Sequence, residues 1–363
     1  MPRRLQSDRI LFGCVVGLIL FGALMVFSAS AVLAADRYNN GNYFLIRQLA
    51  WAAVGMIAIV ILMHTNYRRL ASPLVIFPAL ALEFIFLVLV LFVDRSHNTH
   101  RWFHLGVASF QPSELAKIIL TVFLAFFLDL RKGEVNDWKH TLAPIVLVAG
   151  IMGVLVLAEP DLGTTLALVL ILVAMLFAAG LNLRYFALAG LSAVPILYWL
   201  IFHSTYRHNR VLAFLNPYGD PLGKGFQILQ SYIAIGTGGL AGVGLMEGKQ
   251  KLFFLPEPQT DFIFAVVGEE LGLLRTLAVV AVFAVILVRG LRASAACRDD
   301  FGRLLAIGLT VMIVGQALVN MSVVLGLLPT KGIPLPFVSY GGSSLLVNMV
   351  AVGILLNISQ QAS

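Results

Sequence analysis

Asp261 is the residue whose position in the chain most clearly indicates chemistry. A polar loop with two prolines runs from Leu255 to Thr260, Asp261 follows it, and an apolar run then extends to about Val288. A charged side chain at membrane depth costs about 2.5–3.5 kcal/mol on insertion scales and usually faces a wet cavity, where it has a function. The same acid could instead cap the first turn of a helix, where Asp accepts hydrogen bonds from free N–H groups. This stretch alone leaves both interpretations open.

A second polar segment, Gln111–Lys117 (QPSELAK), opens another apolar run. Glu114 and Lys117 are three residues apart, so they can pair on one helix face with the acid first. The pair could simply make the helix insertable, or it could hold a cation about two turns below the outer surface for a substrate diphosphate. We favour a role in a cavity, because a buried ion pair could be replaced by apolar residues at little cost in stability.

Two other polar sites also have a structural and a functional interpretation. Glu159 and Asp161 flank Pro160, which predicts a capped turn between two helices or, alternatively, a second acidic wall of a cavity. Lys331 is either a charge at the rim or a second cation near the substrate. The turn is the simpler interpretation of the first site, and the second site stays open.

Three histidines, His97, His100 and His104, have a spacing that metal sites use. No set of carboxylates or cysteines completes a tetrahedral site with them. We therefore interpret them as residues of a loop at the membrane interface.

Glu269 and Glu270 lie about two helical turns below Asp261. On a straight helix they are rotated away from it by roughly 80° and 180°, while Gly268 and Gly272 share its face. The small residues leave room for a ligand or for close packing. We expect the two glutamates to hold neighbouring helices.

The composition excludes a soluble globular domain. The chain has 363 residues, of which 60% are hydrophobic and 12% charged, and its mean hydropathy is +0.93. These values are typical of a polytopic membrane protein. The net charge of +7 comes from basic residues scattered over short loops, so it is a topology signal and indicates no nucleic-acid partner.

Ten apolar windows are long enough to cross a bilayer, which takes about 17–25 residues. They lie near 10–34, 46–63, 72–93, 113–129, 142–158, 163–180, 186–203, 262–288, 304–327 and 341–358. We predict an all-α membrane protein with ten transmembrane helices, a single domain over 1–363, and a large extracytoplasmic loop at about 203–260. The first window is too long for a cleaved signal peptide, so we expect it to remain as a span.

The distribution of lysine and arginine sets the orientation. Most basic residues in short loops fall on one side of the predicted bundle, which places both termini in the cytoplasm. The stretch 228–245 is almost apolar enough for an eleventh span. If it crossed the membrane, the four arginines from Arg289 to Arg303 would lie on the outer side. We therefore interpret it as an interfacial or re-entrant segment.

Five separated segments together resemble the SEDS family (shape, elongation, division and sporulation), typified by RodA and FtsW. They are Arg101-Trp102, Gln111–Lys117, Asn216–Pro221 with Gly225–Ser231, Leu255–Gly272, and Pro334–Leu346. The resemblance covers nearly the whole chain. Leu215–Pro217 and Pro329–Gly332 look closer to FtsW than to RodA.

The resemblance implies a peptidoglycan glycosyltransferase that polymerises lipid II at the outer face of the bacterial cytoplasmic (inner) membrane. It implies that Asp261 matches the essential aspartate of the family. It also implies a class B penicillin-binding protein with transpeptidase activity as partner, together with other divisome or elongasome membrane proteins. Arg275 departs from the family pattern, and we expect a buried arginine there whose partner the sequence does not identify.

The corresponding mechanistic hypothesis is an inverting transfer. Asp261 accepts the proton of the GlcNAc 4-hydroxyl of acceptor lipid II as that oxygen attacks the anomeric carbon of the undecaprenyl-linked donor glycan. A divalent cation, Mg²⁺ or Mn²⁺, could add to the stabilisation of the leaving charge, although no set of metal ligands is visible. The candidate substrate-binding residues are Arg101, Glu114, Lys117, Arg210, Glu257 and Lys331.

Two other classes of function fit parts of the sequence. A lipid II flippase would also use charges within the membrane, but it should open a polar path to both sides, and here the unusual charges lie mainly in the outer half. A non-catalytic scaffold for the penicillin-binding protein would tolerate changes at Asp261.

Overall fold

The computed structural model describes residues 7–94, 100–105, 108–252 and 254–362. The described residues form twelve α-helices, one antiparallel hairpin and three short helical turns at Tyr67–Ala71, Trp138–Leu142 and Pro217–Gly219. The helices are α1 (Arg9–Tyr38), α2 (Tyr43–His64), α3 (Pro73–Val93), α4 (Pro112–Leu130), α5 (Ala143–Ala158), α6 (Leu162–Ala178), α7 (Leu183–Phe202), α8 (Thr205–Leu215), α9 (Phe226–Gly238), α10 (Ile263–Ala296), α11 (Asp300–Val324) and α12 (Gly342–Ala362).

The prediction of a polytopic all-α membrane protein is confirmed. Each of the ten predicted windows coincides with one helix, namely α1 to α7 and α10 to α12. Within the described residues, seven helical stretches are long and apolar enough to cross a membrane, and α6 and α7 contribute shorter apolar helices. The remaining helix, α4, carries Glu114, Lys117 and Asp129, which reduce its apolar character.

Helices α11 and α12 form the centre of the bundle. In each of them 78% of the most apolar window is buried, against 17% in α2. Helix α11 packs against α4, α6 and α10, while α12 packs against α2. These two central helices carry the loop 325–341 between them, so that loop is held at the end of the bundle where Asp261 lies.

A small hairpin precedes α4, which the sequence analysis did not predict. Strand β1 (Phe103–Leu105) pairs antiparallel with β2 (Ala108–Phe110), with His104 opposite Ser109. The hairpin packs its second strand against α12. It therefore carries the segment after Arg101 across the end of the bundle where Asp261 lies.

The segment 228–245 does not cross the membrane, as predicted. Helix α9 has 13 residues, which is about 20 Å and too short for a hydrocarbon core of about 30 Å. It packs against α10, and a β-carbon on Gly238 would lie 2.0 Å from the carbonyl oxygen of Gly268. The small residues below Asp261 thus serve close helix packing.

Helix α10 is not straight, because its backbone breaks at Gly272. This glycine has φ 74° and ψ 179°, a conformation that only glycine adopts readily. The break frees the carbonyls of Glu269 and Glu270, which accept hydrogen bonds from the amides of Val243 and Gly244 at 3.0 Å each. The segment after α9 therefore satisfies the backbone groups that the break exposes.

The expectation of a buried Arg275 is wrong. Its side chain is exposed, and Nη1 donates to the carbonyl oxygen of Ala241 at 2.9 Å. The break at Gly272 brings the segment of Ala241 alongside α10, so a backbone carbonyl is the partner that the sequence did not identify.

The two glutamates of α10 hold the outer loop and a neighbouring helix, as predicted for their structural role. Glu269 accepts hydrogen bonds from the amide of Lys249 at 2.8 Å and the amide of Gln250 at 3.2 Å. Glu270 binds Lys251 Nζ at 2.6 Å and, on α1, Ser28 Oγ at 2.7 Å. We call Ser28, Lys251 and Glu270 the buried ionic cluster.

Asp8 and Ser359, the described residues close to the two ends of the chain, lie at the end of the bundle opposite Asp261. Arg289, in the last third of α10, pairs with Asp8 at 2.5 Å, and the amide of Asp8 donates to Ser359 Oγ in α12 at 3.3 Å. The start of α1 and the end of α12 therefore share one side of the bundle.

Candidate active site

A polar cavity of about 400 Å³ opens at the end of the bundle where Asp261 lies. Its walls come from α2, the β-hairpin and the start of α4, the α5–α6 turn, the loop before α10 and the loop before α12. The lining residues used below are Arg47, Trp51, Arg101, Trp102, His104, Gln111, Glu114, Asp161, Asp261, Gly332 and Tyr340.

The backbone around Asp261 is fixed by hydrogen bonds from two neighbouring elements. Asn320 Nδ2 in α11 donates to the carbonyl oxygen of Asp261 at 2.8 Å. Ser339 Oγ donates to the carbonyl oxygen of Thr260 at 2.5 Å. The amide of Tyr340 donates to the carbonyl oxygen of Gln259 at 2.8 Å. These bonds orient the carboxylate without using it.

The capping interpretation of Asp261 is wrong. Helix α10 begins at Ile263, its N-cap is Phe262, and no side chain caps it. Among the residues that the structure describes, none donates a hydrogen bond to the Asp261 carboxylate. The carboxylate oxygens are therefore available to a ligand in the cavity.

The surroundings of Asp261 raise its pKa to about 7. Burial has the largest effect, and the negative charges of Asp161 and Glu257 add to it, while Arg210 and Arg101 oppose it. A carboxyl group with a pKa close to neutral can accept a proton in one step and release it in the next.

Arg101 lies in the cavity wall with its position fixed by the backbone of the α5–α6 turn. Its Nε donates to the carbonyl oxygen of Glu159 at 2.8 Å, and its Nη2 donates to that of Pro160. The Asp94 carboxylate accepts hydrogen bonds from the amides of Arg101 and Trp102 at 2.9 Å each. The guanidinium group lines the cavity and hydrogen-bonds only to carbonyl oxygens in these contacts. Carbonyl oxygens carry no net charge, so its positive charge is not neutralised.

Asp161 combines the two roles that the sequence left open. It is the N-cap of α6 and accepts from the amide of Thr164 at 3.0 Å. It also lines the cavity, where Gln111 Nε2 donates to it at 3.0 Å. Asp161 therefore caps the helix after the turn and also forms part of the acidic wall of the cavity.

Glu114 lines the cavity, whereas Lys117 lies behind it. Lys117 Nζ binds Glu114 at 2.9 Å and Gln316 Oε1 at 2.7 Å, and the lysine side chain is only 1% exposed. Gln316 Nε2 in turn donates to the carbonyl oxygen of Pro334 at 2.9 Å. The structure therefore places Lys117 beneath the cavity wall, where it holds Glu114 and the loop before α12.

The remaining predicted substrate-binding residues surround Asp261 at the rim. Arg210 in α8 donates to the carbonyl oxygen of Thr330 at 2.8 Å, next to Lys331. Burial and the charge of Arg210 lower the pKa of Lys331. Glu257 is exposed and accepts from Gln259 Nε2 at 2.9 Å. The charges of Arg210 and Glu257 act on Asp261, although none of these three side chains lines the cavity.

The structure describes two of the three histidines, and these two have different partners. His100 Nδ1 contacts the carbonyl oxygen of Asp94, and His104 lines the cavity within 3.4 Å of Ser109 Oγ. His97 lies outside the described residues. Within the described ranges, no three His, Cys, Asp or Glu side chains form a group that could hold a metal ion.

Sequence reasoning missed Arg47, Trp51 and Tyr340 as cavity residues. Arg47 and Trp51 are four residues apart in α2, so they share one helix face. An arginine and a tryptophan on the same face at the outer end of a span were the available signal.

Comparison with known proteins identifies the family of this chain. Residues 8–363 match the family model described as FtsW, RodA and SpoVE, cell cycle protein. The chain belongs to the FtsW/RodA/SpoVE family.

Members of the family with sequences similar to this chain share its full length. A protein of Geobacter sp. (strain M18) named "Probable peptidoglycan glycosyltransferase FtsW" is 43% identical, with 98% of each chain covered. The stage V sporulation protein E of Bacillus subtilis is 38% identical over 99% of this chain and 98% of its own.

Solved structures of the family have the same fold. One chain of a peptidoglycan synthase complex, described for its coordination of polymerisation and crosslinking, superposes with a TM-score of 0.80 at 32% identity, covering 98% of each chain. The rod shape determining protein RodA of Thermus thermophilus gives a TM-score of 0.73 at 27% identity, covering 99% of each chain. The chain is thus a multi-pass membrane protein of this family.

Proposed function

We propose that this chain is a peptidoglycan glycosyltransferase that polymerises lipid II, with Asp261 as general base. The observation that carries the proposal is the carboxylate of Asp261, held by its backbone in a polar cavity with a pKa raised to about 7. The peptidoglycan glycosyltransferases among its full-length relatives support the choice of reaction.

The reaction is a single displacement at the anomeric carbon of the lipid-linked donor glycan. The 4-hydroxyl oxygen of the acceptor GlcNAc forms the new bond to that carbon, and its proton moves to the Asp261 carboxylate. The bond from the carbon to the diphosphate breaks, and undecaprenyl diphosphate leaves with the electron pair. Configuration inverts, because attack and departure occur on opposite faces.

Cations beside Asp261 take the place of a general acid. Arg101 lines the cavity, and Arg210 and Lys331 lie at its rim. Positive charge fixed beside the leaving diphosphate stabilises the transition state, because the charge on the leaving oxygen grows as the bond breaks. Lys117 contributes by holding Glu114 in the wall.

A divalent cation would reach this site bound to the diphosphate. Asp261 and Asp161 are the aspartates of the cavity wall, and Asp161 already binds Gln111 and Thr164. Mg²⁺ commonly uses one or two carboxylates together with substrate phosphates, so Asp161 fits that mode of binding and leaves the Asp261 carboxylate to act as the base. The ion would neutralise part of the diphosphate charge.

We place the reaction at the outer face of the bacterial cytoplasmic membrane, with both termini in the cytoplasm. The basic residues near Arg289 and the two chain ends share one side of the bundle, opposite the cavity. A class B penicillin-binding protein is the proposed partner, and the support is the similarity to a chain of a peptidoglycan synthase complex that polymerises and crosslinks.

The test is glycan polymerisation by the purified protein with its transpeptidase partner and lipid II. Asp261→Asn keeps the size of the side chain and removes the base, so we expect polymerisation to fall by about 10²–10⁴-fold. Lipid II binding, measured in parallel, should persist. Near-normal polymer formation by Asp261→Asn would exclude the proposed base, and lipid II translocation in vesicles without polymerisation would favour a flippase.

A further inference from the structure

Arg47 is a cavity cation that the proposed mechanism does not use. It lies one turn into α2 from the outer end, and its guanidinium carbon sits 4.6 Å from the centre of the Tyr43 ring. Tyr43 stacks on Tyr38 with 4.0 Å between ring centres. The aromatic pair fixes the arginine side chain in place through a cation–π contact.

Two aromatic side chains stand beside Arg47 in the same wall. Trp51 lies one turn further along α2 and packs on Gly342, where a β-carbon would come within 2.2 Å of Nε1. Tyr340 contacts Phe44 edge to face at 4.9 Å between ring centres. Arg47, Trp51 and Tyr340 all line the cavity, and we call them the α2 wall.

Arg47 has no carboxylate partner among the described residues. The ion pairs of the described chain involve other residues. An arginine at a membrane interface commonly extends toward lipid headgroups. This one lines a polar cavity instead, and a cation there without an ion-pair partner indicates an anionic ligand.

The α2 wall and Asp261 are connected by hydrogen bonds but occupy different parts of the cavity. Gln48 Nε2, next to Arg47, donates to the carbonyl oxygen of Ser339 at 3.2 Å, and Ser339 Oγ binds the carbonyl of Thr260. Arg101 is held by the backbone carbonyls of the α5–α6 turn, whereas Arg47 is held on α2 by the Tyr43 ring. The cavity therefore contains two separate cationic positions.

The chemistry of the proposed reaction requires two such positions, because donor and acceptor each carry a diphosphate. The donor diphosphate leaves from the carbon under attack, so it must lie beside Asp261 and near Arg101. The acceptor diphosphate is separated from the attacking 4-hydroxyl by both sugar rings of the acceptor, so it must lie further away.

We propose that the α2 wall is the acceptor subsite, in which Arg47 binds the diphosphate of acceptor lipid II while Trp51 and Tyr340 contact its sugar rings. This assignment rests on the proposed function. Guanidinium groups bind phosphate through paired hydrogen bonds, and aromatic rings present flat apolar faces to the C–H groups of sugars.

The experiment separates the two substrates. The purified complex is given a preformed lipid-linked glycan as donor and lipid II as acceptor, and each is varied in turn. We expect Arg47→Ala to raise KM for the acceptor about tenfold, the size of one lost charge-assisted contact, with KM for the donor unchanged. Arg37→Ala is the matched control, because Arg37 is an exposed outer arginine of α1 that does not line the cavity.

A binding measurement without turnover completes the test. In the Asp261→Asn background we expect two equivalents of labelled lipid II to bind, and one after Arg47→Ala is added. A thermal unfolding midpoint within a few degrees of the parent shows that the variant folds. An equal rise in both KM values, an unchanged acceptor KM, or the same effect from Arg37→Ala would overturn the subsite. Full activity of Asp261→Asn would instead overturn the proposed base and leave the substrate comparison measurable.

Discussion

The cavity around Asp261 and the buried ionic cluster use charge in opposite ways. In the cluster, Lys251 Nζ lies 2.6 Å from Glu270, both side chains are at most 5% exposed, and Ser28 binds both partners. In the cavity, the Asp261 carboxylate accepts no hydrogen bond from any described residue, and Arg47 and Arg101 are absent from the ion pairs of the described chain.

This difference separates charges that hold the structure from charges that are available for chemistry. A buried pair costs several kcal/mol to desolvate and returns that energy only when each partner is satisfied. The cluster meets that condition and ties α1 and the outer loop to α10. Backbone hydrogen bonds position Asp261 and Arg101, and the Tyr43 ring positions Arg47, without an ion pair to any of the three. Their electric field therefore stays directed at a ligand.

The largest effect should come from removing one partner of the buried ionic cluster. Glu270→Leu leaves the Lys251 ammonium buried without a counter-charge, so we expect the free energy of unfolding to fall by about 3–5 kcal/mol. The measurement is the unfolding midpoint of the purified protein in detergent or nanodiscs. Adding Lys251→Met should restore most of the loss, and equal instability of the single and double variants would contradict a charge-based explanation.

A smaller effect is expected from neutralising a cavity carboxylate next to the base. The negative charge of Asp161 raises the pKa of Asp261, so Asp161→Asn should lower that pKa. The base would then stay deprotonated at lower pH. In a plot of polymerisation rate against pH, the acidic limb, near pH 7 in the wild type, should therefore move to lower pH. Asparagine keeps an oxygen for the cap of α6, so stability should change little.

The reverse change provides the control for this pH profile. Arg210 lowers the pKa of Asp261, so Arg210→Gln should move the acidic limb to higher pH. A shift of both variants in the same direction would show that the profile does not report Asp261.

The smallest effect should come from Arg275, a charge that belongs to neither region. Its side chain is exposed and its partners are the backbone carbonyls of Ala241 and Leu271. We expect Arg275→Leu to change the free energy of unfolding by no more than about 0.5 kcal/mol and to leave polymerisation unchanged. A loss comparable to that of Glu270→Leu would place Arg275 among the structural charges.

The positions of the ten spans could be read from the sequence alone. A membrane span needs about 20 consecutive apolar residues, and that requirement is met or failed within one local window. The same local contrast between a polar loop and an apolar run identified Asp261. The Gln111–Lys117 segment and Asp161 were found in the same way, because polar residues are rare inside such a chain.

Which side chains face the cavity was decided only by the tertiary structure. A helix in lipid is apolar on its outer and inner faces alike, so hydrophobic periodicity does not reveal the buried side. That is why Arg47 and Trp51 of α2 were missed, and why Lys117 was expected at the substrate when it lies beneath the wall. The break at Gly272 was not predicted either. It leaves backbone amides and carbonyls of α10 without partners inside the helix, and residues 239–244 supply those partners only in the tertiary structure.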